Sequence, residues 1–127
     1  MISALFNQPN YAAAKKLLDA TVLRHEAIAS NLANIETPNY KRLDVAPTFQ
    51  EELRQALALK STSQIDSLRP QLALDPTATT SKLDGNSVEL ESELAQLSQN
   101  FIAHTLETQL ITGNLARLRL AITGRPG

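Results

Sequence analysis

The sequence predicts a mainly α protein. Two long terminal helices pair in an antiparallel, coiled-coil-like hairpin, joined by an irregular middle segment containing one short helix. Three observations carry this expectation. Apolar residues recur with 3,4 spacing from Tyr11 to Ile35, and again from Leu90 to Ile122. The helical period stops at Thr37-Pro38, where the proline ring disfavours the α region for the residue before it. Between the two patterned ends the chain is polar and broken by Pro47, Pro70 and Pro76. The expected division is a helix over 11–35, a corner, short helix and irregular loop over 36–87, and a helix over 88–123, all within a single domain spanning 1–127.

In the first helix the stripe is Tyr11, Ala14, Leu18, Thr21, His25, Ile28, Leu32 and Ile35. Asn10 is the expected N-cap. Small residues near the end (Ala27, Ala29, Ser30, Ala33) invite close approach of a neighbouring backbone. Pro38-Asn39 then suits the centre of a tight turn, because asparagine tolerates positive φ. Farther on, Thr48-Phe49-Gln50-Glu51 matches a capping box, opening a helix over about 49–59 that buries Phe49, Leu53, Ala56 and Leu57. Residues 60–87 read as irregular and mobile in the free chain, with Ile65, Leu68, Leu72 and Leu74 as isolated apolar contacts.

The last helix is expected to start at an Asn86 N-cap, with Glu89, Glu91 and Glu93 in its first turns, Arg117 and Arg119 near its end, and a stop at Gly124 and Pro126. Its stripe is Leu90, Leu94, Leu97, Phe101, His104, Thr108, Ile111, Leu115, Leu118 and Ile122. A second apolar line, Ile102, Leu106, Leu110, Gly113 and Leu120, runs beside it, and Gly113 suits a close contact with another helix. The expected hairpin register places Tyr11 near Ile122 and Ile28 near His104 or Thr105. Two helices alone bury one stripe each, so the remaining apolar surface marks an interaction site and a subunit completed by neighbours.

Composition removes several function classes. The chain is 43% hydrophobic, with net charge -1 and 4% aromatic residues. That balance offers neither a stacking platform nor a basic field for nucleic acid. Cysteine is absent, which excludes disulfides and thiolate metal sites. No run approaches the ~20 apolar residues of a membrane span, and the N-terminus lacks the basic and apolar regions of a cleaved secretory signal. His25 and His104 read as packing residues rather than ligands. The carboxylates Glu51-Glu52 and Glu89, Glu91 and Glu93 read as solvated helix caps. With no phosphate loop, nucleophile constellation or ligand-spaced cluster, neither an enzyme nor a cofactor is expected. Asn31 and Asn34 keep two readings: C-cap chemistry at a solvated helix end, or amides that bond neighbouring backbone in an assembly and fix its register.

The stretch Ser30-Asn31-Leu32-Ala33-Asn34-Ile35-Glu36-Thr37-Pro38-Asn39-Tyr40-Lys41 resembles the N-terminal motif of bacterial flagellar rod and hook axial proteins, A-N-[IL]-A-N-x-x-T-P-G-Y-K, departing from it at Ser30 and Asn39. Gly85-Asn86-Ser87-Val88-Glu89-Leu90, followed at the far end by Leu118-Arg119-Leu120-Ala121-Ile122-Thr123-Gly124-Arg125, is similar to the proximal rod members, which read G-N-x-V-x-L-x-x-E and end L-x-x-A-I-x-G-R. The resemblance implies a rod-type domain and a structural subunit of the proximal rod, transmitting torque and lining the export channel. It implies partners: other copies of the chain, other rod proteins, the rod–ring adaptor, the inner-membrane ring and the flagellar type III export apparatus. It also implies synthesis in the cytoplasm and export to the periplasmic rod without a cleaved signal.

On this likeness Asn31, Asn34, Thr37, Pro38, Asn39, Tyr40 and Lys41 hold the corner against adjacent subunits. Leu18, Ile28, Leu32, Phe101, Ile102, Leu106, Leu110, Ile111, Leu115, Leu118 and Ile122 form the subunit-packing stripe. The competing readings are a sibling proximal rod protein and, from another class, a soluble helical adaptor or regulatory protein that binds one partner helix.

Overall fold

The computed structural model describes residues 8–80 and 82–123. Its elements, in order, are α1 (Gln8–Ala33), β1 (Leu43–Val45), α2 (Pro47–Ala58), α3 (Thr62–Ser67), β2 (Leu72–Leu74) and α4 (Leu90–Thr123). The two long helices of the expected hairpin are therefore present. The helix α1 is the element against which the others assemble: α4 runs along one side of it, and the sheet, α2 and α3 cover another.

The middle is more ordered than expected. Two short helices occupy it instead of one, and β1 and β2 pair antiparallel with Asp44 opposite Ala73. The reason lies in α1, which turns an alanine face (Ala12, Ala13, Ala20) toward this layer. Without bulky side chains there, Phe49, Leu53 and Ala56 of α2, Ile65 of α3 and Val45 of β1 close onto the helix as one core. Three of the four positions expected inward on α2 are buried, and Leu57 is half-buried at the edge. Ile65 is fully buried, whereas Leu74 remains exposed.

Local chemistry sets the joints. The capping box at Thr48 does not form. Proline lacks an N–H and has φ preset for a first helical turn, so Pro47 opens α2 and the N-cap is Ala46. Glu51 pairs with Arg54 instead. At the other end of α2, Lys60 sits at φ 54, Lys60 N–H donates to the Leu57 carbonyl and Ser61 N–H to that of Ala56. This is the Schellman closure, built here without glycine. Ser61 then caps α3 through Gln64 N–H at 3.3 Å. Asn10, expected as an N-cap, lies within α1.

The hairpin register differs from expectation. Asn100 Nδ2 donates to the Thr21 carbonyl at 2.8 Å, and Asn31 meets Glu93. Ile28 therefore does not lie opposite His104. Polar bonds, not the leucine stripe, set the axial position of α4. The expected Gly124–Pro126 stop lies outside the described residues, as do the side chains of Leu115, Arg117, Leu118, Arg119, Leu120 and Ile122.

Lys60 gives a direct check on this closure. A left-handed L-residue costs ~1–2 kcal/mol, and glycine escapes most of that. Lys60→Gly should raise stability by about 0.5–1 kcal/mol after glycine's own entropy is counted, read as a higher urea midpoint. A lower midpoint would contradict the left-handed conformation at this residue.

Candidate functional site

The end of α1 leaves carbonyls without helical partners, and the chain must turn there. Asn34 begins the closure: its backbone N–H and its Nδ2 both donate to the Ser30 carbonyl, and its Oδ1 accepts from the Thr37 hydroxyl. Pro38 and Asn39 form the tight turn, with Asn39 at φ 62 and Tyr40 N–H closing onto the Thr37 carbonyl at 3.2 Å.

The remaining carbonyls are taken from across the molecule. Asn86 Nδ2 lies 2.8 Å from the Asn34 oxygen, 3.1 Å from that of Ile35 and 2.8 Å from that of Thr37. Its Oδ1 accepts from Val88 N–H. Expected to cap α4, Asn86 instead caps the end of α1, because residues 86–89 have no regular secondary structure and α4 starts only at Leu90. The neighbouring turn is fitted to the corner. Asn39 N–H donates to the Asp84 carbonyl, and Ser87 N–H to that of Tyr40. Gly85 has φ +79, and a Cβ there would lie 2.3 Å from Asn39 Oδ1, so both backbone angle and space require glycine. Lys41 Nζ reaches the Gly85 carbonyl and Thr80.

Beneath the corner is a polar cluster. Asn31 is fully buried and fully bonded: Nδ2 to the Leu43 carbonyl and Glu93 Oε2, Oδ1 from Leu43 N–H and the Tyr40 hydroxyl. Its two bonds to Leu43 imitate a neighbouring strand and fasten β1 to α1. The Tyr40 hydroxyl also meets Ser30 Oγ at 2.9 Å. Arg42 Nε pairs with Glu93 Oε1, and its Nη1 with Asp44 and Asp75. Arg24 completes the chain of charges at 2.9 Å from Asp44.

Glu93 is 0% exposed, so the expectation of a solvated cap is wrong. A carboxylate leaves water only where donors replace its hydration, and Arg42 and Asn31 supply them. Burial opposes ionisation of Asp44, but hydrogen bonds from Arg24, Arg42 and Val45 N–H outweigh it and hold the group below its ordinary value. Asp75 is lowered in the same way: burial is offset by the Thr77 hydroxyl and N–H and by Arg42. Burial also works against the charge on Arg42, yet Glu93 and Asp44 raise its pKa further.

The corner residues expected to act together are thus together, but their amides bond within the chain. Asn31 and Asn34 have their bonds inside the subunit, and Pro38 is exposed at the tip of the turn. Sequence reasoning missed Arg42, Asp44, Asp75, Glu93 and the true role of Asn86. Nothing in this cluster is a nucleophile beside a base, and no group of three His, Asp or Glu suited to a metal occurs among the described residues. The arrangement holds an angle between chain segments.

The other expected set divides in two. Ile28 is buried inside the fold at 1% exposure, and Leu18, Leu32 and Ile111 are half-buried. On α4, Phe101 is 72% exposed, Ile102 58%, Leu106 56% and Leu110 62%. The side of α4 turned to α1 carries Glu93 and Asn100 instead. His25 and His104, read as packing residues, are exposed and line one groove.

Two predictions follow from the junction. Asn86→Ala leaves carbonyls and Val88 N–H without partners and should cost about 2–3 kcal/mol. Asn86→Asp, which keeps the acceptor but aims a charge at three carbonyls, should cost at least as much. Wild-type stability in either variant, measured by urea unfolding, would remove Asn86 from this role. Second, because Asp44 and Asp75 are lowered in the folded chain, their contribution is present above their ordinary range near pH 4 and lost as pH falls through the lowered values. The drop in unfolding midpoint between about pH 6 and pH 3 should shrink in Asp44→Asn; an unchanged drop would contradict the assignment.

No family model matches the chain. Curated relatives do. The flagellar basal body rod protein FlgB of Borrelia hermsii is 31% identical, covering 86% of this chain and 92% of its own length. That of Aquifex aeolicus is 31% identical, covering 87% and 90%. That of Escherichia coli is 27% identical, covering 80% and 83%. The chain belongs to the FlgB family of flagellar basal body rod proteins.

Proposed function

We propose that this chain is a structural subunit of the proximal flagellar rod, a single rod-type domain that transmits torque and lines the export channel. It assembles by helix packing with neighbouring subunits and catalyses nothing. The observation that carries this reading is the apolar surface left open on α4: Phe101, Ile102, Leu106 and Leu110 are each more than half exposed along one helix. A row of that kind on a protein in water is costly unless a partner covers it. Rod subunits supply such partners repeatedly along the axis. The relatives' name, basal body rod protein, agrees with this use.

The partners on this reading are other copies, other rod proteins, the rod–ring adaptor, the inner-membrane ring and the flagellar type III export apparatus. The site of action is the basal body, in the periplasmic rod, reached from the cytoplasm without a cleaved signal. No helix among the described residues is long and apolar enough to cross a membrane, which suits an axial subunit. The corner from Asn31 to Lys41 is the fixed joint of the subunit. Pro38, exposed at its tip, and Asn39 beside it are the parts available to a neighbour.

Leu106→Glu or Leu110→Glu places a charge on the open row without disturbing a buried contact. Either should abolish motility and rod assembly while secretion of the chain continues, measured by swimming halos and by the chain in culture supernatants. Equal loss of secretion and assembly would count against the packing role. Normal basal bodies in a strain lacking the gene would eliminate the rod reading altogether.

A further inference from the structure

The side of α4 that faces α1 carries polar residues at a spacing of seven: Glu93, Asn100 and Glu107. The first two are tied there, Glu93 by Asn31 and Arg42, and Asn100 by the Thr21 carbonyl, which accepts from its Nδ2. Glu107 is different. It is half-buried, and its Oε2 is buried without a hydrogen-bond partner. The charged groups that bear on it are Arg24 of α1 and His104, three residues back on α4. Both act through space, and Arg24 is already bonded to Asp44 at 2.9 Å. Burial raises the Glu107 pKa, and Thr21, His104 and Arg24 offset only part of that.

The polar side chain that Glu107 meets is Thr21, which is 3% exposed. The Thr21 hydroxyl donates its single proton to the Leu18 carbonyl at 2.7 Å, so toward Glu107 its oxygen can only accept. A bond between the two therefore needs the proton on Glu107. A carboxylate in the same place would face a lone pair, with one oxygen cut off from water. We propose that Glu107 is a proton-operated latch: as the neutral acid it donates to Thr21 Oγ1 and holds residues 101–113 of α4 on α1, and on losing its proton it releases them. The sign is opposite to that of Asp44 and Asp75. The latch contributes fully below the ordinary carboxyl range near pH 4 and is lost as pH rises through the raised value. The stretch it governs is the one that carries Phe101, Ile102, Leu106 and Leu110, so protonation sets how firmly the open row is held. The latch belongs to the single chain and stands whether or not the rod reading does.

Two measurements on the full chain test it. Carboxyl carbon NMR, with the Glu107 signal identified by its loss in Glu107→Gln, should give a titration midpoint above the ordinary glutamate value of about 4.3. Amide hydrogen exchange, corrected for its intrinsic pH dependence, should show protection of residues 103–111 falling at least ~3-fold as pH rises through that midpoint. Residues 93–100 should show no such step. Glu107→Gln, whose amide donates to Thr21 at every pH, should abolish the step and keep protection at its low-pH level. Thr21→Val keeps the shape but removes the acceptor, and should lower the midpoint. His104→Gln should leave the step in place. A midpoint at or below the ordinary value, no step in the wild-type chain, a step that survives Glu107→Gln, or one that disappears in His104→Gln would each overturn the proposal. So would an unchanged midpoint in Thr21→Val.

Discussion

A buried carboxylate organises the molecule. Glu93 lies where α4 begins, α1 ends and β1 passes, and it has no contact with water. Such a group is stable only if both oxygens find donors, and the two available are Asn31 of α1 and Arg42 just before β1. Satisfying it therefore fixes three segments at once. Removing one partner of such a buried pair typically costs about 3–5 kcal/mol, whereas an apolar replacement of the whole set is often tolerated. The value of the cluster thus lies in specificity: one arrangement of the three segments satisfies Glu93, and slipped arrangements leave a charge uncovered.

The register of the long helices follows from the same bonds. Were α4 held to α1 by its leucine stripe, a slip of one heptad would cost little, because leucine meets leucine again. Asn31–Glu93 and Asn100–Thr21 admit no such slip. Using polar groups for the internal contact has a second effect. It leaves Phe101, Ile102, Leu106 and Leu110 uncommitted. The bonds that define the fold are thus separate from the exposed apolar row.

The elements that repeat were legible, and those that depend on distant partners were not. The periods of α1 and α4 are local, as is the inward face of α2, so spacing alone finds them. Asn39 at positive φ follows from its place after proline. The pairing of β1 with β2 left little trace, since three-residue strands carry too few side chains for alternation to register. Glu93 looked like one more acid in a helix's first turns, beside Glu89 and Glu91, and nothing local separates a buried one from a solvated one. Its place at the end of the Gly85–Glu93 spacing was the available signal. Asn86 shows the same limit: asparagine before a helix is the usual N-cap, and only the fold reveals three carbonyls of another segment within reach of its amide.

A subunit built in this way is rigid at one end and unfinished along the other. Near the corner, Asn31, Asn86 and Val88 are fully buried, and the Asn86 amide bonds backbone 52 residues away at Asn34. Along α4 from Phe101 to Gly113, most side chains face solvent. Ordering a residue costs ~1–2 kcal/mol, which apolar burial must offset. For the open row, burial within the chain does not supply that offset. On the proposed rod reading, order in this half is coupled to association, and the locked corner presents the row at one angle. On the proposed rod reading that combination serves a stiff shaft: identical joints within each subunit, and interfaces that gain their stability in the assembly.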